Sequence, residues 1–164
     1  MAMRVAFITF EFPPFIIGGA GTYAKGLTRE LAAEGIDVVV ISPGDENGET
    51  QLTRNLLVRW IKVDRRLPLF MLRFWRHLPR VVKELESEEP FDIVHINDYY
   101  SIGPVQKRLS EAPHTLTVHH LVADVIRSNE TSLLQQLLRF GGEDNFVNQL
   151  IERLAVRRCD SIIA

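Results

Sequence analysis

Two runs of this chain, residues 5–10 (Val-Ala-Phe-Ile-Thr-Phe) and 38–41 (Val-Val-Val-Ile), are apolar almost without a break. A strand that shows no polar face is buried on both, which requires a parallel sheet with helices packed on each side. Between them Ala20, Ala24, Leu27 and Leu31 recur at helical spacing, with Tyr23 beside them, and Gly35 supplies a stop signal. The second run closes at Ser42-Pro43-Gly44, and residues 45–55 read as a polar loop. Residues 58–63 alternate as a partly exposed strand. Residues 69–88 are helical in composition, with Pro79 either kinking one helix or starting a second, and Pro90 closing it. Further strands are predicted at 91–96, 114–118 and 161–164, a short helix at 103–110 and an amphipathic helix at 146–157. Residues 121–143 read as irregular or weakly helical, with a break at Gly141-Gly142. Strands alternating with helical patterns predict an α/β fold, a Rossmann-like parallel sheet with helices on both faces.

At 164 residues the chain is one domain long and can bury about 70% of its unfolded surface. Lys and Arg number 19 against 21 Asp and Glu, a net charge of −2, so there is no chain-wide footprint for nucleic acid. One cysteine, Cys159, excludes an internal disulfide and a Cys-rich metal site and fits a reducing compartment. No stretch approaches the roughly 18–20 uncharged apolar residues of a membrane span. The apolar run near Arg4 stops at Glu11, too short for the core of a leader peptide. The expectation is a cytoplasmic protein.

In open α/β sheets, ligands bind outside the carboxyl ends of the strands. Three segments of unusual composition fall at such ends: residues 11–22, 97–101 and the pair His119-His120. The first ends Gly18-Gly19-Ala20-Gly21-Thr22 and opens a helix. Its glycines let a ligand approach the backbone, and the helix N-terminus favours a phosphate. Gly19-x-Gly21-x-x-Ala24 matches the dinucleotide fingerprint only weakly, because residues 11–17 intervene after the strand and the second strand ends in Ser42 rather than an acid. A glycine-rich turn serving helix packing alone would read the same way. His119 and His120 are adjacent on an extended segment and point to opposite sides, which argues against their chelating one metal. His95, in mid-strand, reads as a core histidine, and His77 and His114 carry no signal.

Residues 54–83 hold nine basic side chains against the single acid Asp64, and Arg73, Arg76, Arg80 and Lys83 form a stripe at helical spacing. The bland reading is a solvated face of a sheet-covering helix. The sharper one is peripheral contact with an anionic membrane at its inner face, since basic helices with aromatic residues lie in interfaces.

The segments Phe10-Glu11-Phe12-Pro13-Pro14…Gly18-Gly19-Ala20-Gly21-Thr22-Tyr23, Phe91-Asp92-Ile93-Val94-His95-Ile96-Asn97-Asp98 and Leu116-Thr117-Val118-His119-His120-Leu121 stand in an order that resembles family-4 glycosyltransferases. That family includes glycogen synthases, sucrose-phosphate synthases and mannosyltransferases of lipid glycan synthesis. The resemblance extends to Cys159-Asp160-Ser161-Ile162-Ile163-Ala164, which looks like the last strand of the family's N-terminal domain. It implies a GT-B enzyme with two Rossmann-like domains. Such an enzyme moves a sugar from a nucleotide-diphosphate sugar to an acceptor (glycan, lipid or small molecule) with retention, and with neither metal nor cofactor. By that resemblance residues 1–164 are the acceptor-side domain. The loop Gly18, Gly19, Ala20 and Gly21 approaches donor phosphate and acceptor, and His119 is catalytic. Glu11, Asn97, Asp98 and Tyr99 line the acceptor side. Ile16 stands where bacterial-type glycogen and starch synthases carry a lysine, which departs from polyglucan synthesis. The nucleotide-sugar domain lies outside these residues, so the chain alone is expected to be inactive. Two other readings stay open at this point: a stand-alone phosphate- or sugar-binding module without catalysis, and an NAD-dependent dehydrogenase.

Overall fold

A computed structural model describes residues 3–16, 18–64, 70–103, 108–119 and 146–163. Seven strands form one sheet in the order β3-β4-β2-β1-β5-β6-β7. Their ranges are β1 Arg4–Thr9, β2 Asp37–Gly44, β3 Gly48–Thr53, β4 Leu56–Lys62, β5 Ile93–Asn97, β6 His114–Thr117 and β7 Ser161–Ile163. All neighbours pair parallel except β3 with β4. Counted in chain order, the six parallel strands run 3-2-1-4-5-6, the doubly wound order whose direction of growth reverses between its first and fourth members. Here those members are β1 and β5.

The predicted double burial of β1 and β2 is visible in how their residues divide. Ala6, Ile8, Val39 and Ile41 join one core cluster, with Phe74, Trp75, Leu78, Val82 and Leu85 of helix α2 (Phe70–Glu88) and Ile151 and Ala155 of helix α3 (Phe146–Val156). Phe7, Val38 and Val40 join the other, with Ala24 and Ala32 of helix α1 (Gly19–Ala33). Successive side chains of a strand point to opposite faces, so α1 covers one face and α2 and α3 the other. At the amino edge, buried Arg4 pairs with Asp37 at 3.1 Å, reaches the carbonyls of Leu85 and Glu89, and lies over the Phe91 ring. It joins β1, β2 and the end of α2.

Three sequence expectations are corrected, and one alternative, at Pro79, is settled. Strand β2 does not end at Ile41 but continues through Ser42, Pro43 and Gly44, paired with Trp60, Ile61 and Lys62 of β4. Its pairing to β1 stops at Ile41, so Pro43 sits where β2 has a single neighbour, a position that tolerates a missing N–H. The polar loop 45–55 contains β3, which is polar because it is an exposed edge strand; Thr50 takes the Trp60 indole N–H, and Glu49 pairs with Arg59. Pro79 sits inside one helix, with Leu78 and Val82 on either side of it buried against the sheet. The helix predicted at 103–110 is not found in its described parts: Gly103 is in a turn with φ +51°, and residues 108–110 are irregular. Residues 104–107, like 121–143 and His120, lie outside the described residues.

Gly103 is fixed by its neighbour. A Cβ there would come within 2.1 Å of the Trp75 ring, whose indole N–H donates to the Tyr100 carbonyl. Gly26, exposed in mid-α1, has open space around it. Gly103→Ala should therefore destabilise the chain by about 2–4 kcal/mol, from overpacking and a strained φ together. Gly26→Ala should stabilise it by about 0.5–1 kcal/mol. Urea unfolding midpoints read both, in opposite directions.

Candidate functional site at the carboxyl edge of the sheet

The register of the central strands lines up Thr9, Asn97 and Thr117 as one row at the carboxyl ends of β1, β5 and β6. All three are buried. They lie on the α1 face, where every second residue of β5 and β6 is polar or ionisable: His95, Asn97, Thr115 and Thr117, with His119 two residues beyond. A polar ladder results, in two bonded sets, His95 with Thr117 and Asn97 with Thr9, Ala20 and His119. The Phe7 ring stacks on His95 at 4.6 Å. His95 Nε2 is 2.9 Å from Thr117 Oγ1. Asn97 Nδ2 donates to Thr9 Oγ1 at 3.0 Å and to the carbonyl of Ala20, in the first turn of α1, at 3.1 Å. Asn97 Oδ1 lies 2.9 Å from His119 Nε2, and the exposed His119 ring meets the Tyr23 ring edge-on at 4.9 Å.

The loop after β1 closes the other side. Thr9 Oγ1 donates to the Glu11 carbonyl, and Phe10 N–H donates to Ser101 Oγ at 3.1 Å, across from β1 to the segment after β5. Phe12 and Phe15 form an isolated bridge around the cis Pro13-Pro14 bond and pack near Trp60, which anchors the loop on β4. Glu11 reaches forward, and its Oε2 accepts the Gly18 N–H at 2.8 Å. Gly21 makes that possible, since a Cβ there would stand 3.0 Å from both Cβ and Oε2 of Glu11. Helix α1 begins with no side-chain cap and no acid in its first turn, and an added Cβ at Gly18 or Gly19 would meet nothing within 4 Å. The start of the helix is thus open on its outer side, with Glu11 fixed beside it.

The site residues expected from sequence divide accordingly. Glu11, Gly18, Gly19, Ala20, Gly21, Asn97 and His119 are brought together where the strand order reverses, by the Glu11–Gly18, Asn97–Ala20 and Asn97–His119 bonds and the Glu11–Gly21 contact. Asp98 and Tyr99 follow in the chain but turn inward. Asp98 is buried, with φ 74° and ψ 149°, a region seldom occupied except by glycine. Its N–H donates to the Thr117 carbonyl, and its Oδ1 accepts the Tyr99 N–H at 2.7 Å, capping the 3₁₀ turn Tyr99–Ser101. Tyr99, expected on the acceptor side, is wholly buried with the α2 and α3 core, its ring 4.2 Å from that of Tyr100. Burial first, and then the Tyr100 hydroxyl, hold its phenol protonated. Arg73, Arg76, Arg80 and Lys83 are exposed on α2, which covers the face opposite α1, and are not part of the crevice. Arg80 pairs with Glu84 at 2.7 Å. Phe74, Trp75, Leu78, Val82 and Leu85 of α2 are packed against the sheet, while Leu72, next to Arg73, is exposed. No helix among the described residues is long and apolar enough to cross one.

His95, read from sequence as a core histidine, is one: buried, stacked on Phe7 and bonded to Thr117. Sequence reasoning did not single out Thr117 and Ser101, whose hydroxyls bond His95 and the Phe10 N–H beside the site; the signal was the spacing His95-x-Asn97 and Thr115-x-Thr117-x-His119. Burial, and secondarily the charge of His119, lower the His95 pKa to about 4. Cys159, whose thiol burial pushes up to about 11, precedes β7 at the opposite edge and is no nucleophile at neutral pH.

Two stability predictions follow from this geometry. His95 is neutral when folded and binds a proton more readily when unfolded, so its contribution is complete above pH 6.5 and is lost as pH falls toward 4. The loss should reach about 3 kcal/mol at pH 4, and His95→Gln should flatten that part of the pH–stability curve. Asp98→Ala keeps the strained backbone and loses the cap, which should cost about 2–3 kcal/mol. Asp98→Gly relieves the strain and should be about 1–2 kcal/mol more stable than the alanine variant. Equal losses in the two variants would show that the backbone at Asp98 carries no strain.

Comparison with known proteins follows the same outline. The model of Glycosyltransferase Family 4 matches residues 17–164. An uncharacterized glycosyltransferase of Methanocaldococcus jannaschii is 26% identical over 125 residues, 71% of this chain and 31% of that protein. A glycogen synthase of Clostridium botulinum is 30% identical over 128 residues, 76% of this chain and 25% of that protein. The chain therefore spans under a third of the length of these relatives. Among solved structures, a sucrose-phosphate synthase from Thermosynechococcus elongatus superposes with a TM-score of 0.69 at 18% identity, covering 99% of this chain and 42% of that one. The catalytic domain of starch synthase IV from Arabidopsis thaliana gives 0.61 at 18% identity, over 99% and 44%. These two share this chain's fold, which corresponds to one Rossmann-like half of a GT-B glycosyltransferase.

Proposed function

This chain belongs to Glycosyltransferase Family 4, and from that premise we propose that residues 1–164 form the acceptor-side domain of a retaining transferase. The enzyme moves a sugar from a nucleoside-diphosphate sugar to a hydroxyl acceptor, and a second, nucleotide-binding half completes the cleft. The observation that carries the reading is the crevice itself: an open helix N-terminus, a carboxylate, an amide and an exposed histidine converge where the strand order reverses. The Arabidopsis neighbour was solved with ADP and acarbose, which supports a nucleotide and a saccharide as the two ligands.

In the transfer, the bond from the anomeric carbon to the phosphate oxygen breaks and the diphosphate leaves with the electron pair. The acceptor oxygen bonds the anomeric carbon in its place, and the acceptor's proton passes to the departing diphosphate oxygen. Charge develops on the leaving group, so fixed N–H dipoles that face it lower the barrier. The first turn of α1, open beside Gly18 and Gly19, provides such dipoles. Glu11 at the same edge repels further negative charge and accepts hydrogen bonds from hydroxyls, which suits the acceptor. Ile16, exposed at the entrance, offers the diphosphate no cation, in keeping with a donor reaction other than polyglucan synthesis from ADP-glucose. A cytoplasmic setting suits the lone buried thiol. Peripheral attachment through Arg73, Arg76, Arg80 and Lys83 would be chiefly by charge, with Leu72 exposed beside them.

Release of nucleoside diphosphate from UDP-glucose, ADP-glucose and GDP-mannose tests the proposal. It is followed with the chain alone and with the chain joined to a second, nucleotide-binding half. Turnover is expected only in the joined protein, and there His119→Ala should lower it about 100-fold or more. Turnover by the chain alone would overturn the division of labour between halves. Binding without turnover in either form would leave a binding module in place of a transferase.

A further inference from the structure

The Asn97 amide can be oriented without ambiguity. Its nitrogen lies 3.1 Å from the carbonyl oxygen of Ala20, which only accepts, so the N–H₂ end must face Ala20 and Thr9. The oxygen end then faces His119 Nε2 at 2.9 Å. An amide oxygen has no proton to give, so the proton in that bond belongs to His119 Nε2. In a neutral imidazole the other nitrogen, Nδ1, then carries a lone pair. His119 is exposed, and among the described residues no group bonds its Nδ1.

Resting on the transferase reading above, we infer that Asn97 is a positioning residue: it fixes His119 as the Nε2–H tautomer, so that Nδ1 meets the ligand as a hydrogen-bond acceptor. An acceptor nitrogen pairs with a hydroxyl, of the transferred sugar or of the acceptor, and repels a phosphate oxygen. His119 would then select for the hydroxyl pattern of a saccharide, while the backbone at the start of α1 serves phosphate. The tautomer does not depend on His119 alone. Asn97 is held in turn by Thr9 and Ala20, so β1, β5 and α1 all bear on which nitrogen carries the proton. The ring rests edge-on against Tyr23 of α1, and His95 of β5 is the titratable group coupled to it from beneath.

Long-range ¹H–¹⁵N correlation spectra of the ¹⁵N-labelled chain at pH 8 read the tautomer directly, with His119 assigned by its absence in His119→Gln. The Nε2–H form is expected, and an Nδ1–H form or an even mixture would overturn the inference. Asn97→Ala should turn the single form into a mixture. Asn97→Asp places a carboxylate against Nε2 and should raise the pH of half-protonation of His119 by about one unit or more. A substitution acting only on packing would leave that titration in place. Should either variant fail to fold, the wild-type spectrum still decides. In the chain joined to a second, nucleotide-binding half, addition of UDP-glucose should shift the His119 resonances and leave Nδ1 unprotonated; a proton gained there on binding would overturn the assignment to hydroxyls. A joined protein, carrying the second, nucleotide-binding half, that neither binds nor turns over a nucleotide sugar would fail the proposed function while the tautomer stayed legible in the free chain, so the two ideas fall separately.

Discussion

One buried amide holds the functional edge of this molecule together. Asn97 ends β5, and its side chain bonds the last residue of β1, the first turn of α1 and the histidine beyond β6. Those pieces are far apart in the chain, and three of them meet nowhere else through side-chain hydrogen bonds among the described residues. An unsatisfied buried polar group costs about 1–3 kcal/mol, so each partner of Asn97 is under pressure to stay in place. The start of α1 is therefore positioned by the strand on the far side of the reversal point as well as by the loop that leads into it. A crevice whose two walls are bonded through one residue keeps its width, and a site that must orient two substrates needs that constancy.

The glycine-rich turn acquires a narrower meaning in this setting. Its glycines do two different things. Gly21 has no Cβ so that the Glu11 side chain can lie against it and bond the Gly18 N–H. Gly18 and Gly19 border open space. One part of the turn is thus filled by a carboxylate from the protein and the other is left accessible. An arriving phosphate shares the positive end of α1 with a resident negative charge on the Gly18 N–H, which favours approach from the Gly19 side and keeps hydroxyl-bearing ligands near Glu11.

Much of the fold was legible because β1 and β2 are buried on both faces and so carry an unmixed apolar signal. The stop at Gly35 was legible for an equally local reason, its φ of +85°. What stayed hidden had causes outside the segment itself. Strand β3 has no apolar side because neither of its faces is covered, and its partners Arg59 and Trp60 lie in the next strand. Residues 103–110 suggested a helix, but Gly103 answers to a tryptophan 28 positions earlier in the chain. The three site segments were found because each follows a strand. Their inward-facing members were not separated from the rest, since nothing local to Asp98-Tyr99 says that one caps a turn and the other enters the core.

The polar ladder explains why the crevice lies where it does along the edge. On the α1 face the sheet is divided. Its β1, β2 and β4 side contributes Phe7, Val38, Val40, Leu56 and Val58 to a dry core beneath α1. Its β5 and β6 side contributes His95, Asn97 and Thr117. Burying those polar groups is tolerable only because they bond one another and the ends of β1 and α1. The histidine at the top of the ladder is exposed, while the one beneath it is kept neutral by burial. Strand spacing alone would have allowed a crevice at any pair of carboxyl ends; the division between dry and polar halves confines it to the boundary between β1 and β5.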